Sequence, residues 1–303
     1  MAKATVIIPI YQPDDDFTAL CHSLTLQENI DFNILLLETV SDVLGSVPAN
    51  FKHDTEGEQS QLDKDQPLDY STLLHGLDFE VVQIPKYEFN HGLTRTLGAK
   101  MATGEIVIFL TQDAICYDKH TLENILAAFA NPLVAVAYGR QLPKKDASPI
   151  ATHARLFNYP EVSYLRSFDD KTKYGIKTAF CSDSFAAYRK ASLEQIGYFP
   201  KTNVSEDMLV TAKLLLEGFQ VAYVAEAMVY HSHNLTLMEE FRRYREIGAF
   251  TKREAWLGEV FGKAEGEGMR FVLSEIRYLL KTAPLLIPSA FLRNLAKFLA
   301  YKL

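Results

Sequence analysis

The sequence predicts an α/β protein with a mainly parallel, twisted sheet flanked by helices and a C-terminal helical extension. Three observations lead there. Apolar runs alternate with segments of helical periodicity from residue 4 to about residue 230, the pattern of strands joined by crossover helices. Runs such as "ATVIIPIY" and "IVIFL" are apolar throughout, as in buried strands. Beyond the histidines of "YHSH" no further strand pattern appears, and the remainder reads as helix.

The elements follow in order. A strand at 4–11 leads to a helix at 17–27, "FTALCHSLTLQ", with Phe17, Leu20 and Leu24 inward. Strands follow at 32–39 ("FNILLLET") and 79–85 ("FEVVQIP"), then a helix at 92–102 and a strand at 105–111. "HTLENILAAF" places Leu122, Ile125, Leu126 and Phe129 on one helical face. "VAVAYGRQLP" is a strand running into a loop, and "DSFAAYRKASLEQIG" a strand followed by a helix. Residues 205–219 carry Leu209, Ala212, Leu215, Leu216 and Phe219 at helical spacing, and "VAYVAEAMVYHSH" is the last strand. The polar stretch 44–78 is long for a connection and reads as a solvated insertion, with a small lid as the other reading. Ligands of such sheets bind beyond the carboxyl ends of the strands, which puts Glu38, Asp113 and the segment after Pro9 at the ligand edge.

Composition bounds the function. The chain of 303 residues is 48% hydrophobic and 23% charged, ordinary values for a globular protein that buries a large core. Its net charge of −7 argues against a nucleic-acid partner. That charge is uneven: residues 270–303 hold Arg270, Arg277, Lys281, Arg293, Lys297 and Lys302 against Glu275 alone. A basic, apolar tail on an acidic body points to anionic lipids or phosphates. Cys21, Cys116 and Cys181 form no metal or disulfide spacing, and the sequons at Asn203 and Asn234 read as coincidental. With no signal peptide and no bilayer-length apolar run, the expected setting is cytoplasmic.

Four constellations carry chemistry. Asp113, after a buried strand, reads equally as an oxygen ligand for Mg2+ or Mn2+ and as an acid capping the next turn. In "VSEDML", Ser205 is a candidate helix cap; Asp207 is the candidate general base and Glu206 the second choice, against a simple role in the first helical turn. His231 and His233, two apart in extended chain, face the same side and can complete a mixed metal site or serve structure. In "FNHGLTRTLGAK", Gly92 permits close backbone approach, and Arg95 one turn into the helix would meet a diphosphate. The glycines match neither GxGxxG nor a P-loop.

The order of "VIIPIYQ", "FNHGLTRTLGAKMATGEIVIFLTQDA", "FCSDSFAAYRK", "VSEDM" and "YHSH" resembles the family 2 glycosyltransferases over most of residues 4–250. The likeness is closest to the rhamnosyltransferase branch, in which "TQDA" stands in place of paired aspartates. It implies the GT-A fold, with a catalytic domain at 1–240 (a nucleotide-sugar half at 1–115 and an acceptor half at 116–240) and a helical extension at 241–303. By the same resemblance Pro9, Tyr11 and Glu38 would surround the donor's base and ribose, and His91, Gly92, Arg95 and Gln112 would flank the donor. Asp113 would bind the metal, His231 would coordinate it with His233 beside it, and Asp207 would be the base. Glu38 departs from the Asp usual there. The implied activity is inverting transfer of L-rhamnose from dTDP-rhamnose to a glycan or polyprenyl-linked glycan in bacterial cell-surface polysaccharide synthesis. The rivals are a UDP-sugar donor, a sugar-nucleotide-binding protein without transferase activity, and a nucleotidyltransferase, for which "PIYQPDDD" lacks the glycine-rich loop. The tail divides at Pro284 and Pro288 into two short helices. In the second, Phe291, Leu295, Phe298 and Leu299 share a face opposite Arg293, Lys297 and Lys302. That helix is expected to lie on the inner face of the cell membrane, or to pack on the catalytic domain or a second copy in a homodimer.

Overall fold

The computed structural model describes residues 3–41, 68–263 and 266–303. In chain order the elements are β1 (Ala4–Ile10), α1 (Asp15–Thr25), β2 (Phe32–Val40), α2 (Tyr70–Leu73), β3 (Phe79–Pro85), α3 (His91–Met101), β4 (Ile106–Leu110), β5 (Ile115–Cys116) and α4 (Thr121–Ala127). Then come β6 (Val134–Leu142), α5 (Pro149–Asn158), β7 (Tyr164–Arg166), α6 (Lys171–Tyr174), β8 (Phe185–Arg189), α7 (Lys190–Gln195), α8 (Glu206–Leu216) and β9 (Gln220–Tyr230). Four helices close the chain: α9 (Leu237–Arg253), α10 (Ala255–Phe261), α11 (Glu267–Thr282) and α12 (Ile287–Lys302).

One sheet runs through the molecule in the order β3-β2-β1-β4-β8-β6-β9-β5, with β7 paired to β9. β1 is parallel to both β2 and β4, with Ile7 opposite Leu35 and Phe109. β8 alone runs against both neighbours, β4 and β6. Two reversals cancel, so β6 and its parallel neighbour β9 point the same way as β1. Both faces are covered because neighbouring residues serve opposite cores. Ile7, Leu35, Leu37, Val107 and Phe109 pack on one face, and Val6, Ile8, Ile34, Leu36 and Ile108 on the other with Phe17, Leu20 and Leu24 of α1. Helix α8 departs from the predicted face. Leu209, Ala212 and Leu215 are buried as expected, together with Val210 and Leu214, but Leu216 is exposed because its helix ends there.

Of the long insertion, residues 44–67 lie outside the described residues. The remainder holds α2, capped by Asp69, whose side chain accepts from the amides of Ser71 and Thr72. Position 241, the expected start of the extension, falls inside α9, which begins with a capping box between Thr236 and Glu239.

The tail differs from expectation in two ways. α11 and α12 are each 16 residues long and are broken only around Pro284; Pro288 sits in the first turn of α12, where its missing N–H leaves no bond unmade. Two of the basic residues also face inward, onto α9. Arg293 Nη1 lies 3.0 Å and Lys297 Nζ 3.3 Å from the two carboxylate oxygens of Glu240. Asn294 donates to Glu275 of α11 at 2.5 Å. At Gly248 of α9 an added Cβ would come within 2.3 Å of the Tyr301 carbonyl oxygen, so the glycine sets how closely the two helices approach. Phe291, Leu292, Leu295, Phe298 and Leu299 are left exposed. Among the described residues no helix is long and apolar enough to cross a membrane.

Glu240 is therefore the acid that fixes α12 to α9. Replacing it, Glu240→Gln, leaves Arg293 and Lys297 without their counter-charge and is expected to lower the unfolding free energy in urea by about 1–3 kcal/mol, the range for buried polar groups left unsatisfied. An unchanged denaturation midpoint would assign the attachment to packing alone.

Candidate active site

Strand direction gathers the site. The carboxyl ends of β1, β2, β4 and β9 meet at one edge of the sheet, and the reversed β8 brings its amino end there too. Tyr11, Glu38, Asp113 and His231 follow or end the first set, and Asp183 precedes the second. The first turns of α3 and α8 add His91 to Arg95 and Glu206 to Asp207. The predicted residues are thus brought to one edge, in three groups.

The first group lies over β1 and β2. Gln112 is locked onto the main chain of Tyr11: its Oε1 accepts from Tyr11 N at 2.8 Å and its Nε2 donates to Tyr11 O at 3.2 Å. This amide, expected to flank a donor directly, ties the end of β4 to the loop after β1. That loop turns through Gln12 at φ 46°, a left-handed conformation. The Tyr11 hydroxyl accepts from Lys86 at 2.7 Å. Glu38 accepts from Tyr70 Oη at 2.7 Å and Gln83 Nε2 at 3.2 Å, so the described end of the insertion folds onto it. Pro9 is half-buried one residue before the end of β1.

The second group is a cluster of metal-ligand type. One ligand atom from each of Asp113, His231 and His233 lies within 4.8 Å of the others, and both imidazole Nε2 atoms approach the same Asp113 oxygen, at 3.5 and 3.6 Å. Gln141, 1% exposed and absent from the sequence reading, organises it. Its Oε1 accepts from His231 Nδ1 at 2.8 Å and from Arg155 Nη1 at 2.6 Å, while its Nε2 donates to Ser182 at 2.9 Å. With Nδ1 engaged, His231 turns Nε2 to Asp113 as a metal ligand requires. Burial pushes the His231 imidazole down to about 3 and lowers His233 too, so both are neutral donors at pH 7. Burial opposes the Asp113 carboxylate, but His231, His233 and Lys144 outweigh it and lower its pKa. Lys144 Nζ stands 2.7 Å from Asp16 and 3.3 Å from Asp113.

The third group corrects the placement of Arg95. Expected beside a diphosphate, its guanidinium is instead 5% exposed and faces carboxylates of the protein itself. Nη1 lies 2.8 Å from Glu206, and Nε lies 3.1 Å from Asp183 Oδ2 as a charge contact without hydrogen-bond geometry. Asp183, also missed from sequence, accepts from Tyr188 Oη at 2.6 Å, and its amide donates to Asp207 at 3.3 Å. Asp207 is oriented further by the Met208 amide at 2.7 Å. One cation among three carboxylates leaves excess negative charge in a dry place. Burial pushes Asp183 up to about 8 against the pull of Arg95, and burial, with Glu206 beside it, lifts Asp207 to about 6. Ser205 does not cap α8 with its side chain; it takes a left-handed turn, φ 56° and ψ 28°, that leads the chain into Glu206. Gly92 also differs from expectation. An added Cβ would stand 1.8 Å from the Pro200 carbonyl oxygen, and its amide donates to Thr202 O at 3.1 Å. The close backbone approach that needs glycine is therefore to the loop before α8. His91, half-buried, stacks edge-on against Phe89, its pKa lowered by burial and by Arg95.

Comparison with known proteins agrees with this geometry. A family model described as glycosyl transferase family 2 matches residues 63–197. The O-antigen chain rhamnosyltransferase RfbN of Salmonella typhimurium is 50% identical over 228 residues, 75% of this chain and 73% of that protein. WbaN of Salmonella anatum, also an O-antigen chain rhamnosyltransferase, is 49% identical over 74% of this chain and 71% of its own. Among solved structures, the mannosyltransferase PcManGT of Pyrobaculum calidifontis, in complex with GDP-Man and Mn2+, superposes with a TM-score of 0.57 at 18% identity, over 99% of this chain and 74% of that one. S. aureus TarS 1–349 in complex with UDP-GlcNAc gives 0.52 at 17% identity, over 99% of this chain and 89% of that one. These two likenesses establish the fold, which is GT-A as the resemblance implied. Identity of one residue in two to the Salmonella enzymes, over about three quarters of each chain, goes further: the chain belongs to the family 2 glycosyltransferases.

Proposed function

We propose that the chain is an inverting rhamnosyltransferase that moves L-rhamnose from dTDP-rhamnose to a saccharide acceptor in O-antigen-type polysaccharide assembly. The observation carrying this is its half identity, across most of both chains, to two enzymes named for that reaction. Residues 1–115 hold the donor in this reading, 116–240 receive the acceptor, and 241–303 form the extension. Tyr11 and Glu38, with Pro9 beneath, line the base and ribose end; Asp113 and the histidines stand at the diphosphate end. Asp207 removes the acceptor hydroxyl proton while that oxygen bonds to the anomeric carbon from the face opposite the leaving group. The bond from that carbon to the diphosphate oxygen breaks, and the nucleoside diphosphate departs with the electron pair. Glu206 holds Arg95, which leaves Asp207 the acid free to act as base.

The donor set of Asp113, His231 and His233 fits a divalent cation, and two imidazoles favour Mn2+ over Mg2+, which prefers oxygen ligands. When bound, the ion would stabilise charge on the leaving diphosphate. Mn2+ titration of the protein should give saturable binding that Asp113→Asn abolishes and Gln141→Leu weakens by about 10- to 100-fold, since Gln141 orients His231. Equal affinity for all three proteins would place the ion elsewhere.

The base is tested with dTDP-rhamnose beside a panel of UDP-sugars. Asp207→Asn should reduce turnover by about 10²–10⁴-fold with donor binding retained. Because burial raises the Asp207 carboxyl, the base is ionised only above about pH 6, so kcat/KM of the native enzyme should fall about tenfold per pH unit below that value. A profile flat down to pH 5, or inactivity of Glu206→Gln alone, would move the role to another group.

The extension is read as a membrane-facing element at the cytoplasmic leaflet. Phe291, Leu295, Phe298 and Leu299 of α12, with Leu280 and Leu285 beside it, are exposed, and Arg277, Lys281 and Lys302 remain in solvent. With Arg293 and Lys297 paired to Glu240, the attraction is mainly apolar. Native protein should float with anionic vesicles in moderate salt, and a Phe291→Ser, Phe298→Ser variant should not. If neither floats and the substitutions turn a sedimenting dimer into a monomer, the face belongs to a second copy of the chain.

A further inference from the structure

With Arg95 enclosed by the protein's own carboxylates, the diphosphate end of the site needs its cations from elsewhere. Sequence reading offered Arg95 alone for that role, but the fold supplies two others. Lys144 follows β6 and Arg155 stands on α5. Among the described residues, Arg155 has no carboxylate within ion-pair distance, although it is half-buried. A shielded guanidinium without a counter-ion is costly, and an anionic ligand would offset that cost.

Arg155 is also held in place. Its Nη1 donates to Gln141 Oε1 at 2.6 Å, and the same oxygen accepts from His231 at 2.8 Å, so the guanidinium stands one bridging atom away from a candidate metal ligand. The Tyr159 ring lies beneath it, with 5.9 Å between guanidinium carbon and ring centre. Lys144 already divides its charge between Asp16 and Asp113. Arg155 is therefore the cation beside the histidines that, among the described residues, no carboxylate claims.

We propose that Arg155, with Lys144 at Asp113, forms a diphosphate-binding pair that holds the nucleoside diphosphate as it leaves. This rests on reading the edge as a nucleotide-sugar site. Arg155 is the fixed member, positioned by Gln141 before the ligand arrives, and a planar guanidinium can donate to two phosphate oxygens at once. Gln141 then serves both halves of the diphosphate end, orienting His231 with the same oxygen that orients Arg155.

The test is equilibrium binding to the full chain in chelator, with dTDP, UDP, inorganic pyrophosphate and thymidine as probes. Arg155→Gln should weaken dTDP and pyrophosphate about 10- to 100-fold, the loss of a charge-assisted pair, and leave thymidine unchanged. Arg155→Lys should recover part of the loss. Pyrophosphate and dTDP binding to Arg155→Gln as tightly as to the native protein would overturn the proposal. Native protein that binds pyrophosphate through Arg155 but neither nucleotide would keep the anion site and remove the nucleotide-sugar reading instead.

Discussion

Arg95 is buried among Asp183, Glu206 and Asp207, and its single charge cannot neutralise all three. The meeting of α3, β8 and α8 depends on this. The guanidinium joins three segments distant in sequence, the first turn of α3, the start of β8 and the first turn of α8, and it fills a place that would otherwise hold an unpaired charge. Removing one partner from such a cluster is more damaging than its net worth would indicate, because the remaining charges lose their compensation in a dry interior. Burial, with Glu206 beside it, raises the proton affinity of Asp207 toward neutral pH, as the proposed role of base requires.

The sheet was legible from the sequence because its signal is local. A strand buried on both faces must be apolar at consecutive positions, and β1, β2 and β4 are; their boundaries fall within a residue or two of the expected ones. Motif residues at strand ends were legible for the same reason, since the carboxyl edge is fixed by strand direction. Asp113, His231 and His233 meet where that rule puts them.

What could not be read were pairings across long separations. Nothing near Arg95 in the chain announces Glu206, and a first-turn arginine looks the same whether it awaits a phosphate or a carboxylate. Gly92 looked like a ligand-approach glycine, but its neighbour is Pro200. Gln141 and Asp183 carried a fainter signal, a polar residue interrupting or immediately preceding a buried strand, which gains meaning only once His231 and Arg95 are placed beside them. The tail shows the limit of charge counting. The sequence separates Arg293 and Lys297 from the apolar face of their helix correctly, yet gives no sign that Glu240 claims both.

That last pairing inverts the ordinary logic of a surface helix. Most amphipathic helices on a globular protein choose their rotation by hiding apolar residues, and charge takes whatever side is left. In α12 a single acid on α9 sets the angle, aided by the close approach at Gly248, and the greasy side is turned outward by default. The helix is consequently poised like a keel whose orientation is decided from within the protein and not by what it touches. A contact surface built this way is ready before its partner arrives, so little ordering entropy remains to be lost on docking. Its seam is electrostatic yet largely enclosed, so salt that would dissolve an exposed ion pair leaves the helix at its set angle.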